Sequence, residues 1–222
     1  MGKKQETTVG RVIQKFIDEI LGGLIDKDFI YNEFSLQHEL GIYLRKELGK
    51  EYQIRFERNV IDEKWGENED EKYWKKKEMD IFIEKDSGNK YAIELKFPKN
   101  GQYPEQMYSF IKDIKFMEQV REMANARTFV LTLVDDKNFY QETGKEKKEE
   151  KNKKLIYWYF RQKKEGDKTI RRIEKNVAIP KPTGTEEKDI SLDNEYSIKW
   201  KTIPDYESTS YRYYFFEIPQ NN

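Results

Sequence analysis

The chain has 222 residues, with 42 Lys or Arg against 42 Asp or Glu, one histidine and no cysteine, so it carries no global positive field to draw in nucleic acid, no disulfide and no thiolate metal site. Its length favours one domain with additions, or two small domains, and 15 Tyr, 13 Phe and 4 Trp supply the buriable surface that disordered chains lack. His38 alone cannot build a zinc site, no apolar run approaches a membrane span, and the lack of cysteine fits a reducing, cytoplasmic setting.

In chain order, MGKKQETTVG is polar, shows no secretory leader, and has Glu6 where a myristoylation signal wants Ser or Thr. Residues 9–25 place Val9, Val12, Ile13, Phe16, Ile17 and Ile20 at helical spacing, which predicts one helix ended by Gly22-Gly23. Residues 32–49 predict a second helix, with Asn32 as cap, Leu36, Leu40, Tyr43 and Leu44 as its apolar stripe, and Gly49 as its stop. YQIRFERNVI alternates as a strand, a polar excursion covers 62–77, and MDIFIEK with KYAIELKF predicts a hairpin. Pro104 opens a helix whose buried face is Met107, Phe110, Ile111, Ile114, Met117 and Val120, and RTFVLTLVDD reads as a buried strand.

Residues 32–136 thus spell helix, strand, strand, strand, helix, strand. The charge run at 145–154 reads as a solvated loop, and LIYWYF, TIRRIEKNVAI, EYSIKWKTI and SYRYYFFEI read as four strands, with a turn at 165–167 and a connector at 181–189. The expectation is a mixed α/β fold: a core with its N-terminal helix over 1–144, and a β-rich extension over 145–222 on the same sheet or beside it.

The hairpin poses the chemical question. Glu94 and Lys96 share a face with Ala92, while Tyr91, Ile93, Leu95 and Phe97 take the other. If Asp86-Ser87-Gly88 is a three-residue loop with Gly88 left-handed, the register sets Asp80 opposite Glu94. Two facing carboxylates repel by a few tenths to about 1 kcal/mol before any burial cost, and a divalent ion relieves this. Asp80 and Glu94 then offer Mg²⁺ a pair of hard oxygens, the Leu95 carbonyl a further ligand, and Lys96 an ammonium that orients water or stabilises transition-state charge. Glu-x-Lys also occurs at Glu146, Glu149 and Glu186, all in charged loops, so the context carries the signal. The plain alternative is an exposed cross-strand ion pair of little worth.

Asp80, Glu94-Leu95-Lys96 and the element order around them resemble the PD-(D/E)XK nuclease superfamily, the restriction-endonuclease-like fold, over residues 32–136. Met79 stands where the family name has Pro. The resemblance implies an αβββαβ core, Mg²⁺ dependence with Mn²⁺ as a substitute, and hydrolysis of a nucleic acid backbone, DNA first. Cutting both strands would suit a twofold dimer.

The family often draws another acid from the helix before the first core strand, and Glu33 and Glu39 are the candidates. At about 100° per residue, Glu33 falls near the middle of the apolar stripe and Glu39 on its flank. Gln37 lies one turn after Glu33. His38 lies opposite the stripe and faces solvent, and Asp113 pairs with a lysine rather than a metal. Lys75, Lys76 and Lys77, beside Tyr73 and Trp74, are candidates for holding phosphates and stacking a base, as is Lys99 for substrate contact; a solvated loop is the alternative. The rival functions are the same fold kept only for binding nucleic acid or protein, and an assembly protein of a defence system.

Overall fold

The computed structural model of the chain describes residues 8–61, 65, 74–142, 156–162, 171–182 and 189–220. Its elements are α1 (Thr8–Glu19), α2 (Leu21–Asp26), α3 (Glu33–Leu48), β1 (Tyr52–Asn59), β2 (Glu78–Lys85), β3 (Lys90–Lys96), α4 (Tyr103–Ala124), β4 (Arg127–Val134), α5 (Ile156–Phe160), β5 (Lys201–Thr202) and β6 (Arg212–Glu217). The strands form one six-stranded mixed sheet in the order β1-β2-β3-β4-β6-β5. β3 and β4 are its parallel pair, joined through α4 as a parallel connection requires, and the other neighbours are antiparallel.

Strand alternation divides the interior into two layers. Ile81, Ile83, Tyr91, Ile93, Leu95, Phe129 and Leu131 point into a core with α1 and α3. Phe82, Ala92, Val130 and Tyr214 point into a second core with α4 and the C-terminal segments. β3 is therefore buried on both faces, as a central strand between helices must be.

Asn32 caps α3 as its sequence predicts: its side chain accepts the Ser35 amide at 2.8 Å while Ser35 Oγ accepts the Asn32 amide at 3.0 Å, a reciprocal capping box. The first helix departs from expectation. It breaks at Ile20 into α1 and α2, and Gly22-Gly23 lies inside α2. Gly22 is there for close approach, since a Cβ would collide with the Tyr206 ring.

The C-terminal reading is corrected more heavily. LIYWYF, expected as a strand, forms α5 over Ile156–Phe160, and among its described residues TIRRIEKNVAI makes only isolated bridges, Ile173↔Tyr196 and Ile179↔Ile190. EYSIKWKTI contributes one of these bridges and the two-residue β5; only SYRYYFFEI supplies a full strand, β6. Ile190, Leu192, Tyr196 and Ile198 are buried alternately against the α4-side core, which imprints strand periodicity without a ladder partner. The charge run at 145–154, the 144/145 boundary, the 165–167 turn and most of the 181–189 connector lie outside the described residues. Among the described residues no helix is long and apolar enough to cross a membrane.

Candidate active site

The β2–β3 hairpin turns through Asp86-Ser87-Gly88. Lys85 N donates to Asn89 O at 2.9 Å, Gly88 N donates to Lys85 O at 2.7 Å, and Gly88 has φ +86°. The resulting register pairs Ile81 with Ile93 and Phe82 with Ala92, so one further step brings Asp80 across from Glu94. There the ladder gives way to a side chain: Asp80 Oδ2 accepts the Leu95 amide at 2.6 Å. On the other flank of β2, Glu57 has φ +49° and drops out of the β1 pairing between Phe56↔Ile81 and Arg58↔Met79. A non-glycine residue in that region is costly, and such local distortion concentrates at functional sites. Gln37 of α3 spans the gap, donating to Glu57 Oε1 at 2.5 Å and to the Asp80 carbonyl at 2.7 Å.

Both layers contribute charge at this end of β3. Lys96 Nζ lies 3.1 Å from Glu33 Oε1 on α3 and 3.9 Å from Asp113 Oδ2 on α4, and Glu33 Oε2 accepts the Phe97 amide at 3.0 Å. Lys76 donates to Glu94 Oε1 and reaches Asp113 Oδ1 at 3.3 Å. Glu94 is wholly inaccessible and Asp113 nearly so, and Glu94 Oε2 and Asp113 Oδ2 have no hydrogen-bond partner among the described residues. Asp80, Glu33, Lys96, Gln37, Glu57, Phe34, Lys99 and Asn100 line a cleft of about 510 Å³, whereas Glu94 and Asp113 are not among its lining residues.

Burial pushes the Asp80 carboxyl up to about 7, against the opposing pull of Lys76 and the Leu95 amide; Asp113 and Glu33 add to the rise. Burial likewise raises Asp113, with Lys76 and Lys96 working against it. For Lys96 burial acts in the opposite sense, but Asp113 and Glu33 outweigh it and hold the ammonium above the ordinary lysine range. Lys96 is therefore a cation at neutral pH and not a base.

The structure thus gathers Asp80, Glu94, Lys96, Glu33, Gln37 and Lys76, with Lys99 on the rim, where its ammonium pairs with Asp135. Leu95 enters through its amide. Glu39 is half-buried on α3 and is not among the cleft-lining residues; Lys75 donates its backbone amide to Gln119 at 3.0 Å, and Lys77 is exposed. Lys76 is engaged with the buried acids rather than turned out towards solvent phosphates. Sequence reasoning missed Glu57, whose backbone conformation leaves no sequence mark. It set Asp113 aside as a lysine partner, which it is, yet a lone acid three residues after Phe110 and four before Met117, in the apolar stripe of α4, marked a buried charge.

No protein family, curated protein or solved structure matches the chain. Among the described residues no three His, Asp or Glu side chains form a ready-made metal cage. The donor set that exists is of the hard carboxylate oxygens that Mg²⁺ prefers, and Glu94 Oε2 is buried with no hydrogen-bond partner among the described residues.

Proposed function

We propose that the chain is a divalent-cation-dependent nuclease acting on DNA, with an αβββαβ core like that of the PD-(D/E)XK superfamily running from α3 to β4. The observation that carries this reading is the convergence of Asp80, Glu94 and Lys96 at one end of the central hairpin, with Asp80 and Lys96 lining a cleft and a buried Glu94 oxygen that no described residue hydrogen-bonds. A stable fold gains nothing from burying such an oxygen; a cation site does.

In this reading Asp80 and Glu94 would hold Mg²⁺, which would supply Lewis acidity to the reaction. The protein's own groups do the rest. Lys96, kept charged by Glu33 and Asp113, faces the cleft where negative charge grows on the phosphate as water attacks phosphorus and the P–O bond to the leaving oxygen breaks. Glu33 fixes the Lys96 ammonium and the Phe97 backbone together. Gln37 holds the Asp80 backbone, and the Leu95 amide orients its carboxylate.

One observation favours a second reading, a non-enzymatic module: Lys76 already pairs with both Glu94 and Asp113. Incubation with plasmid, linear duplex, single-stranded DNA and RNA in Mg²⁺, Mn²⁺ or chelator, beside Lys96→Ala and Asp80→Asn, decides between them. The nuclease cleaves only with the ion and loses cleavage in both variants. Ion-independent behaviour, with Mn²⁺ binding absent in calorimetry, leaves the module.

A further inference from the structure

Phe29, Tyr31 and Phe34 are 53%, 55% and 71% exposed, and they belong to neither core cluster. Scattered exposed apolar residues are ordinary, but these fall within one short stretch that leads into and opens α3. Phe34 stands in the first turn of that helix, where acids and small polar residues stabilise and an aromatic ring adds nothing. It flanks Glu33 in sequence and lines the same cleft as Asp80 and Lys96.

We infer that Phe34 is a stacking platform for an unpaired base, and that the substrate is single-stranded nucleic acid. The inference rests on the nuclease reading and narrows its substrate class. In a duplex both faces of each base are covered by neighbours, whereas an unpaired base offers a free π-face to a ring held at the cleft mouth. The surroundings suit a nucleotide better than an apolar protein side chain. Lys99, Asn100 and Gln106 line the same cleft, and Gln106 donates to Asn100 Oδ1 at 3.0 Å, a polar array for base edges and phosphate. An apolar partner would leave Glu33, Lys96 and this array facing its own surface.

The test is fluorescence anisotropy in chelator with a labelled single strand of about 15 nucleotides, the matching duplex, and a single strand carrying abasic sites, against wild type, Phe34→Ala and Phe34→Trp. Wild type should bind the single strand in preference to the duplex. Phe34→Ala should weaken single-strand binding about tenfold, Phe34→Trp should preserve it, and the abasic strand should bind wild type and Phe34→Ala alike. Phe34 is largely exposed, so thermal melts of these variants should match wild type.

Unchanged single-strand affinity in Phe34→Ala overturns the inference, as does an equal loss for duplex and abasic strands, no binding of any strand, or a Phe34→Ala effect confined to self-association in sedimentation. Cleavage in Mg²⁺ that depends on Asp80 but not on Phe34 would leave the nuclease standing and remove the stacking platform. Phe34-dependent single-strand binding without any ion-dependent cleavage would do the reverse.

Discussion

Lys76 shares one ammonium between two buried carboxylates, donating to Glu94 Oε1 and lying 3.3 Å from Asp113 Oδ1. Among the described residues the second oxygen of each acid has no hydrogen-bond partner, and that of Asp113 lies 3.9 Å from Lys96 Nζ. The Lys76 ammonium thus occupies Glu94, one of the two carboxylates that the nuclease reading gives to a divalent ion. Removing one member of a buried ion pair leaves the other uncompensated, at a cost of about 3–5 kcal/mol. Lys76→Met should therefore lower stability by that order in chelator, and Mn²⁺ should restore more stability to the variant than it adds to wild type, since ligand binding to the native state raises its melting temperature. Thermal melts with and without Mn²⁺ measure this directly. Equal shifts in the two proteins would show that the ammonium and the ion do not compete.

Asp80 gives a pH dependence whose sign follows from its environment. Its carboxyl moves from 3.8 to about 7 on folding because burial disfavours the charge. Between those values the native state holds a proton that the unfolded chain has released, so this group's contribution to stability is complete below 3.8 and is lost as pH rises through about 7. In chelator, Asp80→Asn should be more stable than wild type at pH 8, and the difference should shrink as pH falls towards 4. Urea melts of both proteins across that range test it. An ion that needs the ionised carboxylate should bind more tightly as pH rises through the same window.

Glu118 fastens the C-terminal segment to α4. Its carboxylate accepts the Asp193 amide at 2.9 Å, the Asn194 amide at 2.9 Å, Asn194 Nδ2 at 3.0 Å and the Tyr196 hydroxyl at 2.9 Å. Glu118→Ala strands four donors in a largely buried place, each worth about 1–3 kcal/mol when left unmade, though the segment relaxes towards water. The expected result is a loss of about 2–4 kcal/mol, with hydrogen exchange rising first at Asp193, Asn194 and Tyr196. Uniformly faster exchange over the whole sheet would show instead that this contact supports the global fold.

What the sequence disclosed follows from how local each determinant is. The Asn32 cap, the Gly88 turn and the buried face of α4 are written in neighbouring residues, and a loop of fixed length sets the strand register that brings Asp80 opposite Glu94. Glu33 was legible as the helix acid facing the sheet because the apolar stripe of α3 points that way. The close approach of Tyr206 to Gly22 and the helix at Ile156–Phe160, where Phe110 packs on Phe160, involve distant partners. Periodicity carries no trace of such partners. Lys76 stood among three lysines of equal sequence character, and the tertiary positions of Glu94 and Asp113 distinguish it.

Glu33 and Glu39 separate a positioning role from mere proximity on one helix. Glu33 holds Lys96 Nζ at 3.1 Å and the Phe97 amide at 3.0 Å, so the ammonium is fixed in the cleft by a group that itself need not touch substrate. Glu39 stands outside the cleft lining. If the nuclease reading holds, Glu33→Gln should reduce cleavage about 10- to 100-fold, the usual effect of losing a group that orients a reacting side chain, while Glu39→Gln should leave it near wild type. The loss should fall on kcat rather than KM, because a loosened Lys96 meets developing charge poorly but leaves substrate binding in place. Glu33→Asp, which keeps the charge on a shorter arm, should recover part of the rate. Equal impairment of Glu33→Gln and Glu39→Gln would show that helix stability, not the Lys96 contact, governs the effect.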